Sequence, residues 1–143
     1  MKRFIAILFG MIVVVGVPLR AETDEEVEAH KLVLDLTGAF TNDGFKLRDG
    51  HWTGMVKPRE RALIAVNLYA GNQYWLSAAA NSKAKKIAVE LYDEAGRPLT
   101  TDSYNDGERA SAGFSPSNSG QYFVSVGLLE GEPTTFCLVY SYK

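Results

Sequence analysis

The sequence predicts an all-β fold: an eight-stranded antiparallel β-sandwich of jelly-roll or Greek-key type, preceded by a short helix. From about residue 52 onward, runs rich in Tyr, Val, Ile, Leu and Thr recur about every 10 to 15 residues between Gly, Asn, Asp, Pro and Ser turns, a cadence that suits sandwich strands. Several runs alternate with period two; Tyr122, Val124 and Val126 interleave with Ser125 and Gly127, which marks one dry and one wet face. Cys137 is the only cysteine, so no intrachain disulfide is available and the fold stands on packing and hydrogen bonds. Its apolar setting, Phe136-Cys137-Leu138-Val139-Tyr140, suits a small buried residue, although an odd cysteine in an exported chain can also pair between chains.

The chain opens with Lys2 and Arg3, an apolar stretch from Phe4 to Val17, and Pro18-Leu19-Arg20-Ala21. This is the pattern of a signal peptide over residues 1–21, cleaved after Ala21. The apolar stretch is shorter than the ~20 residues that span a bilayer, and no cysteine lies near the cut to carry a lipid anchor. The expected product is exported, to the periplasm or beyond the cell, with no stable membrane insertion after cleavage. It has the size of one domain. Losing Lys2, Arg3 and Arg20 deepens the formal net charge from −2 to about −5, which argues against nucleic acid as a partner, because phosphate binding needs a concentrated basic surface.

Residues 22–45 form the expected helical segment and linker, and 46–143 the sandwich. Thr23 and Glu26 have capping-box spacing, with Asp24 and Glu25 at the positive end of the helix dipole; a helix over about 24–36 follows. Leu32, Leu34 and Leu36 also alternate as a strand would, so the two readings compete here. Gly38 and then Asn42-Asp43-Gly44 end the segment and turn the chain.

The strands follow in order. His51 to Val56 is the first. Arg61 to Ala70 is apolar enough to suggest a central strand covered on both faces. Gly71-Asn72 turns into Gln73 to Ala80, and a polar stretch leads to Lys86 to Tyr92, with Ile87, Val89 and Leu91 on one face and Glu90 on the other. Asp93-Glu94-Ala95-Gly96 makes a tight hairpin loop, with Gly96 free to adopt a left-handed conformation, into Arg97 to Tyr104. Asn105-Asp106-Gly107 turns into Glu108 to Phe114. A Ser- and Pro-containing link reaches Gln121 to Leu128. After Glu130-Gly131-Glu132-Pro133, Thr134 to Tyr142 closes the domain with Phe136, Leu138, Tyr140 and Tyr142 on one side.

Three stretches together resemble a known family: Gly71-Asn72-Gln73-Tyr74, Val89-Glu90-Leu91-Tyr92-Asp93-Glu94-Ala95-Gly96, and Ser119-Gly120-Gln121-Tyr122-Phe123-Val124-Ser125-Val126. The pattern is similar to that of the bacterial pre-peptidase C-terminal domain family over roughly residues 50–142. The resemblance implies a small β-sandwich of the kind appended to secreted peptidases, several of which are non-catalytic binding or stabilising modules, some with calcium. This chain is expected to differ in having no enzyme domain attached, and it differs in its added N-terminal segment and in Cys137. The shared residues are mostly turn and core positions, which speak to fold more than to role.

No catalytic constellation stands out. Ala110-Ser111-Ala112-Gly113 lacks the first glycine of a nucleophile elbow and falls in a strand. Ser82 and Lys85 match a serine–lysine spacing, but in a polar loop without partner motifs. Cys137 reads as buried without a histidine beside it, which disfavours a thiolate nucleophile. His30 and His51 are the only histidines and fall in different elements, so no zinc site is expected. Asp102 and Asp106, with Asp93, Glu94 and Glu108 nearby, are weak calcium candidates, since acidic turn residues are ordinarily solvated. No other cofactor is implied.

The aromatics Trp52, Tyr69, Trp75, Tyr92, Tyr104 and Phe123 fall out of phase with the inferred core. Flat rings on a sheet can stack on sugars or anchor a protein partner, or they form a second core beneath the helix. The first five are the candidate ligand-binding residues. The functional expectation is an exported, non-enzymatic β-sandwich module binding a protein or polysaccharide. The alternative is a structural subunit, homodimeric or part of an exported complex, using the N-terminal segment and aromatic face as its interface.

Overall fold

The computed structural model describes residues 22–143. One helix, α1 (Asp24–Asn42), precedes nine strands: β1 (Lys46–Leu47), β2 (Trp52–Val56), β3 (Arg61–Leu68), β4 (Tyr74–Ala80), β5 (Ala84–Tyr92), β6 (Asp102–Asp106), β7 (Arg109–Phe114), β8 (Gly120–Gly131) and β9 (Thr134–Tyr142). The signal peptide and its cleavage site lie outside the described residues. No helix among the described residues is long and apolar enough to cross a membrane.

The strands form two antiparallel sheets. A six-stranded sheet runs β1-β9-β4-β7-β6 with β2 also paired to β9; a three-stranded sheet runs β3-β8-β5. The inner faces enclose the main core. Leu76, Ala78, Phe136 and Leu138 from the large sheet meet Ile87, Leu91, Val124 and Val126 from the small one. Alternation sets this division, because each strand sends every second side chain inward. The sandwich with an N-terminal helix is as the sequence led one to expect, but nine strands divided six and three replace the expected eight.

Helix α1 begins where its cap predicts: the Glu26 N–H donates to Thr23 Oγ1 at 3.2 Å, and Asp24, Glu25 and Glu26 occupy the first turn. It runs six residues past the expected end, to Asn42, because Gly38 has open space around it and tertiary packing outweighs its weak helix propensity. The chain then turns at Gly44, with φ of +91°. The helix lies on the outer face of the large sheet, where Ala29 and Val33 pack against Ala79, Cys137 and Val139 in a second, smaller core.

That outer face accepts a helix because it is built from small side chains. Register places Ala79 opposite Cys137, Ser77 opposite Val139 and Trp75 opposite Ser141, with Ser77 also opposite Ser111 and Trp75 opposite Gly113. The Ser111 hydroxyl donates to Ser77 Oγ at 2.7 Å, so those two buried hydroxyls are satisfied within the sheet, while the buried Ser141 Oγ has no partner among the described residues. The strands covered on both faces are therefore β9, buried from Thr134 to Ser141, and its neighbour β4, buried from Leu76 to Ala80. The expectation that Arg61 to Ala70 holds that place is corrected. β3 is an edge strand whose alternate residues Arg61, Leu63, Ala65 and Asn67 are exposed.

The Arg97–Tyr104 strand is also corrected. Only Asp102–Asp106 is regular, and the preceding residues are tied back by a single bridge from Pro98 to Tyr92. Proline supplies no N–H to extend that pairing into a ladder.

Candidate functional site

The outer face of β3-β8-β5 carries the most distinctive exposed chemistry. Pairing aligns its outward residues in rows: Arg61–Gly127 and Gly127–Ala88, Leu63–Ser125 and Ser125–Glu90, Ala65–Phe123 and Phe123–Tyr92. The middle strand contributes Ser125 and Gly127, side chains small enough for groups on the flanking strands to meet above it. Arg61 donates from its guanidinium to the Tyr92 hydroxyl, and its Cζ lies 5.2 Å from the Tyr92 ring centroid. The Tyr92 hydroxyl in turn donates to Glu90 Oε2 at 2.7 Å. That bond to Glu90, then burial, then the Glu90 charge raise the Tyr92 pKa, so the phenol stays protonated and donates.

Beside this chain of contacts, a shallow cavity of about 350 Å³ is lined by Arg61, Leu63, Tyr92, Glu94, Gly96 and Phe123. Leu63 is 60% exposed and Leu129 is 52% exposed. The hairpin that forms one wall folds as its residues dictate: the Gly96 N–H donates to the Asp93 carbonyl at 2.9 Å, Gly96 has φ of +80°, and Asp93 accepts from the backbone N–H of Arg97 at 2.9 Å. This last bond, the largest cause, together with the Arg97 charge holds the Asp93 carboxyl below its usual range.

The five candidate aromatics do not form one platform. Trp75 lies under α1, stacked on Phe40 at 4.5 Å with a 12° tilt and seated over Gly113, where a Cβ would meet its ring at 3.0 Å. It belongs to the covered face, as does the role of second core. Trp52 is half-buried against the main core, stacks on Tyr140 at 5.9 Å, and has Arg48 over its ring. Tyr69 is exposed at the end of β3, and Tyr104 is exposed on the edge strand β6. Only Tyr92 and the neighbouring Phe123 share the open face.

Asp102 and Asp106 occupy the two ends of exposed β6. Four residue steps along the strand separate them by about 13 Å, too far for a shared ion. Among the described residues, the one set of three metal-ligating side chains that converges is a different one: His30, His51 and Cys137, whose ligand atoms all lie within 4.8 Å of one another. The expectations that the histidines stay apart and that Cys137 has no histidine beside it are corrected here. α1 brings His30 over the sheet, while His51 precedes β2, whose Thr53 pairs with Cys137.

The imidazoles stack with centroids 4.1 Å apart, and His51 Nε2 lies 3.1 Å from Glu22 Oε1. Cys137 is a free, fully buried thiol. Burial foremost, and then the nearby Glu22 and Glu26 charges, push its pKa up to about 12. A protonated, inaccessible thiol is a poor nucleophile.

Two signals for these sites were present in the residues. Arg61 and Asn67 share parity with Leu63, which marks a wet face on β3. Cys137, Val139 and Ser141 share parity on β9, but the arrival of a helix and of His51 above them depends on long-range packing.

No family model matches the sequence, and no curated protein matches it. Among solved structures, it is similar to PliG of Aeromonas hydrophila, a periplasmic lysozyme inhibitor of g-type lysozyme, at 14% identity and a TM-score of 0.48, over 66% of this chain and 85% of that one. It is also similar to a CBM4 structure at 18% identity and a TM-score of 0.42, over 75% of this chain and 83% of that one. Neither level of similarity bears on what this chain binds.

Proposed function

We propose that the protein is an exported, non-enzymatic β-sandwich module that binds a protein partner through the open face of β3-β8-β5. The observation that supports this most is the contrast between the two sheets. The outer face of the large sheet is covered by α1, whereas the small sheet leaves Leu63, Leu129 and Phe123 beside the Arg61–Tyr92–Glu90 contacts with no element among the described residues over them.

Exposed Leu, Tyr and Arg side chains on a rigid sheet suit a protein interface, where Tyr and Arg are frequent anchors. Arg61 lies over the ring that a sugar would stack on, which favours a protein over a polysaccharide. The pre-peptidase C-terminal resemblance agrees with a non-catalytic role, on turn and core residues alone. The alternative of an assembly interface built from the N-terminal segment and the aromatic face is the less favoured reading, because α1 buries Ala29 and Val33 on its own sheet and Trp75 stacks beneath it.

A photo-crosslinking residue placed at Leu63 tests the reading in cells that export the protein. The expected result is a discrete protein adduct that weakens with Arg61→Ala, while the same label at Leu34 on the outer side of α1 gives none. Absence of a discrete adduct at Leu63, or retention on a polysaccharide matrix that depends on Tyr92, overturns it.

A further inference from the structure

The cluster under α1 has the composition and convergence of a metal centre. Two imidazoles and a thiol from three separate parts of the chain meet with ligand atoms no more than 4.8 Å apart. Around a tetrahedral zinc ion, with bonds of about 2.0 Å to nitrogen and 2.3 Å to sulfur, such atoms stand about 3.3–3.6 Å apart. Closing to that geometry takes about 1.3 Å and an unstacking of the two imidazoles, now 4.1 Å apart at 26°, because a bound ion lies in the plane of each ring; His51, with 28% of its side chain exposed, is the ring with room to turn.

A carboxylate is already in place: Glu22 Oε1 sits 3.1 Å from His51 Nε2. Metal-bound histidines commonly have a carboxylate partner of this kind. The adjoining start of α1 is anionic too. A cavity of about 610 Å³ beside the N-terminal turn of α1 is lined by Asp24, Glu25, Glu26, Thr53, Met55 and Thr135, and such walls concentrate cations.

We infer that His30, His51 and Cys137 form a site for a single zinc ion, with Glu22 completing the coordination sphere or orienting His51 beside it. One thiolate, two imidazoles and a carboxylate suit a borderline-soft ion in tetrahedral geometry. The bond that forms is zinc to Cys137 Sγ, and the thiol proton leaves to solvent as it does so. The ion ties α1, the segment before β2, and β9 to one point, so its role is structural and independent of the open face on the opposite sheet.

The test uses the purified protein, stripped with chelator and titrated with zinc, and with cobalt(II) as a spectroscopic probe. The expected result is one equivalent of bound zinc, a raised melting temperature, and, with cobalt, a near-ultraviolet thiolate-to-metal charge-transfer band with the strong visible bands of a tetrahedral ion. His51→Ala should lower zinc affinity by more than about 100-fold and Glu22→Gln by about 10–100-fold, the range for outer-shell partners. Cys137→Ser should abolish the charge-transfer band. Because Cys137→Ser disturbs a buried position, the half-exposed His51→Ala variant carries the test if the serine variant fails to fold. Zinc binding unchanged in His51→Ala, or a folded wild-type protein that shows no charge-transfer band with excess cobalt, overturns the inference.

Discussion

Replacing Val33 by Ala on α1, and Val27 by Ala on the same helix, measures how firmly the helix is docked. Val33 is fully buried against Ala79, Cys137 and Val139, whereas Val27 is 47% exposed. Both changes gain about 0.5 kcal/mol of helix propensity, since alanine is the better helix former. At position 33 two buried methyl groups are also lost, at about 0.8 kcal/mol each, with a further cavity contribution. The net expectation is a loss of about 1.5–2 kcal/mol at Val33 and a change of at most about 0.5 kcal/mol, in the stabilising direction, at Val27.

Urea unfolding provides the assay. The Val33→Ala midpoint should fall with its slope unchanged, the sign of altered stability rather than altered compactness. A domain of this size should also lose roughly 5–10 °C in melting temperature. Equal effects at the two positions would refute the reasoning, because they would mean that the helix does not bury its Ala29–Val33 face on β4 and β9. The same result would remove the geometry on which the His30–His51–Cys137 cluster depends.

Other outcomes follow from individual contacts. In metal-free protein, alkylation of Cys137 by iodoacetamide at pH 8 should be slow until urea unfolds the chain, because burial first and acidic neighbours second push its pKa up to about 12; rapid labelling of the folded protein would contradict the packing of β9. Gly131 has φ of +130° and a Cβ there would stand 2.6 Å from the Lys83 carbonyl oxygen. Gly131→Ala should therefore cost about 2 kcal/mol or more in urea unfolding, as backbone strain and a clash combine. The Glu25–Lys83 pair, at 2.7 Å, lowers the Glu25 pKa and raises that of Lys83, the hydrogen bond between them being the largest cause for each. Its stabilising effect is present above the unfolded carboxylate value and lost as pH falls through the depressed folded one. At the alkaline end it is present below the unfolded ammonium value and lost as pH rises through the raised folded one. Glu25→Gln should flatten both ends of the stability–pH curve measured by thermal unfolding.

The residues alone carried the architecture in its local terms. Thr23 and Glu26 mark the start of α1 because a cap is a contact three residues long. Asp93 to Gly96 marks a hairpin because only glycine takes its φ freely. The period-two runs in β5, β8 and β9 name their inward faces because alternation is a property of the strand itself. The charge balance is equally local.

What lay beyond that reach was which outer faces are covered. Arg61 to Ala70 and Thr134 to Tyr142 are both rich in apolar residues, yet β3 became an edge and β9 a strand enclosed on both sides. The decision belongs to strand order and to where α1 docks, which follow from contacts between residues far apart in the chain. The same physics stacked Trp75 beneath Phe40 and left Tyr92 in the open, although both are aromatics on strands. It also gathered His30, His51 and Cys137, separated by most of the chain's length, around one point. Sequence by itself determined the elements and their inward sides, because those depend on neighbours within a few residues. Only the tertiary structure decided which outward sides meet, because that depends on the simultaneous packing of every element against the rest.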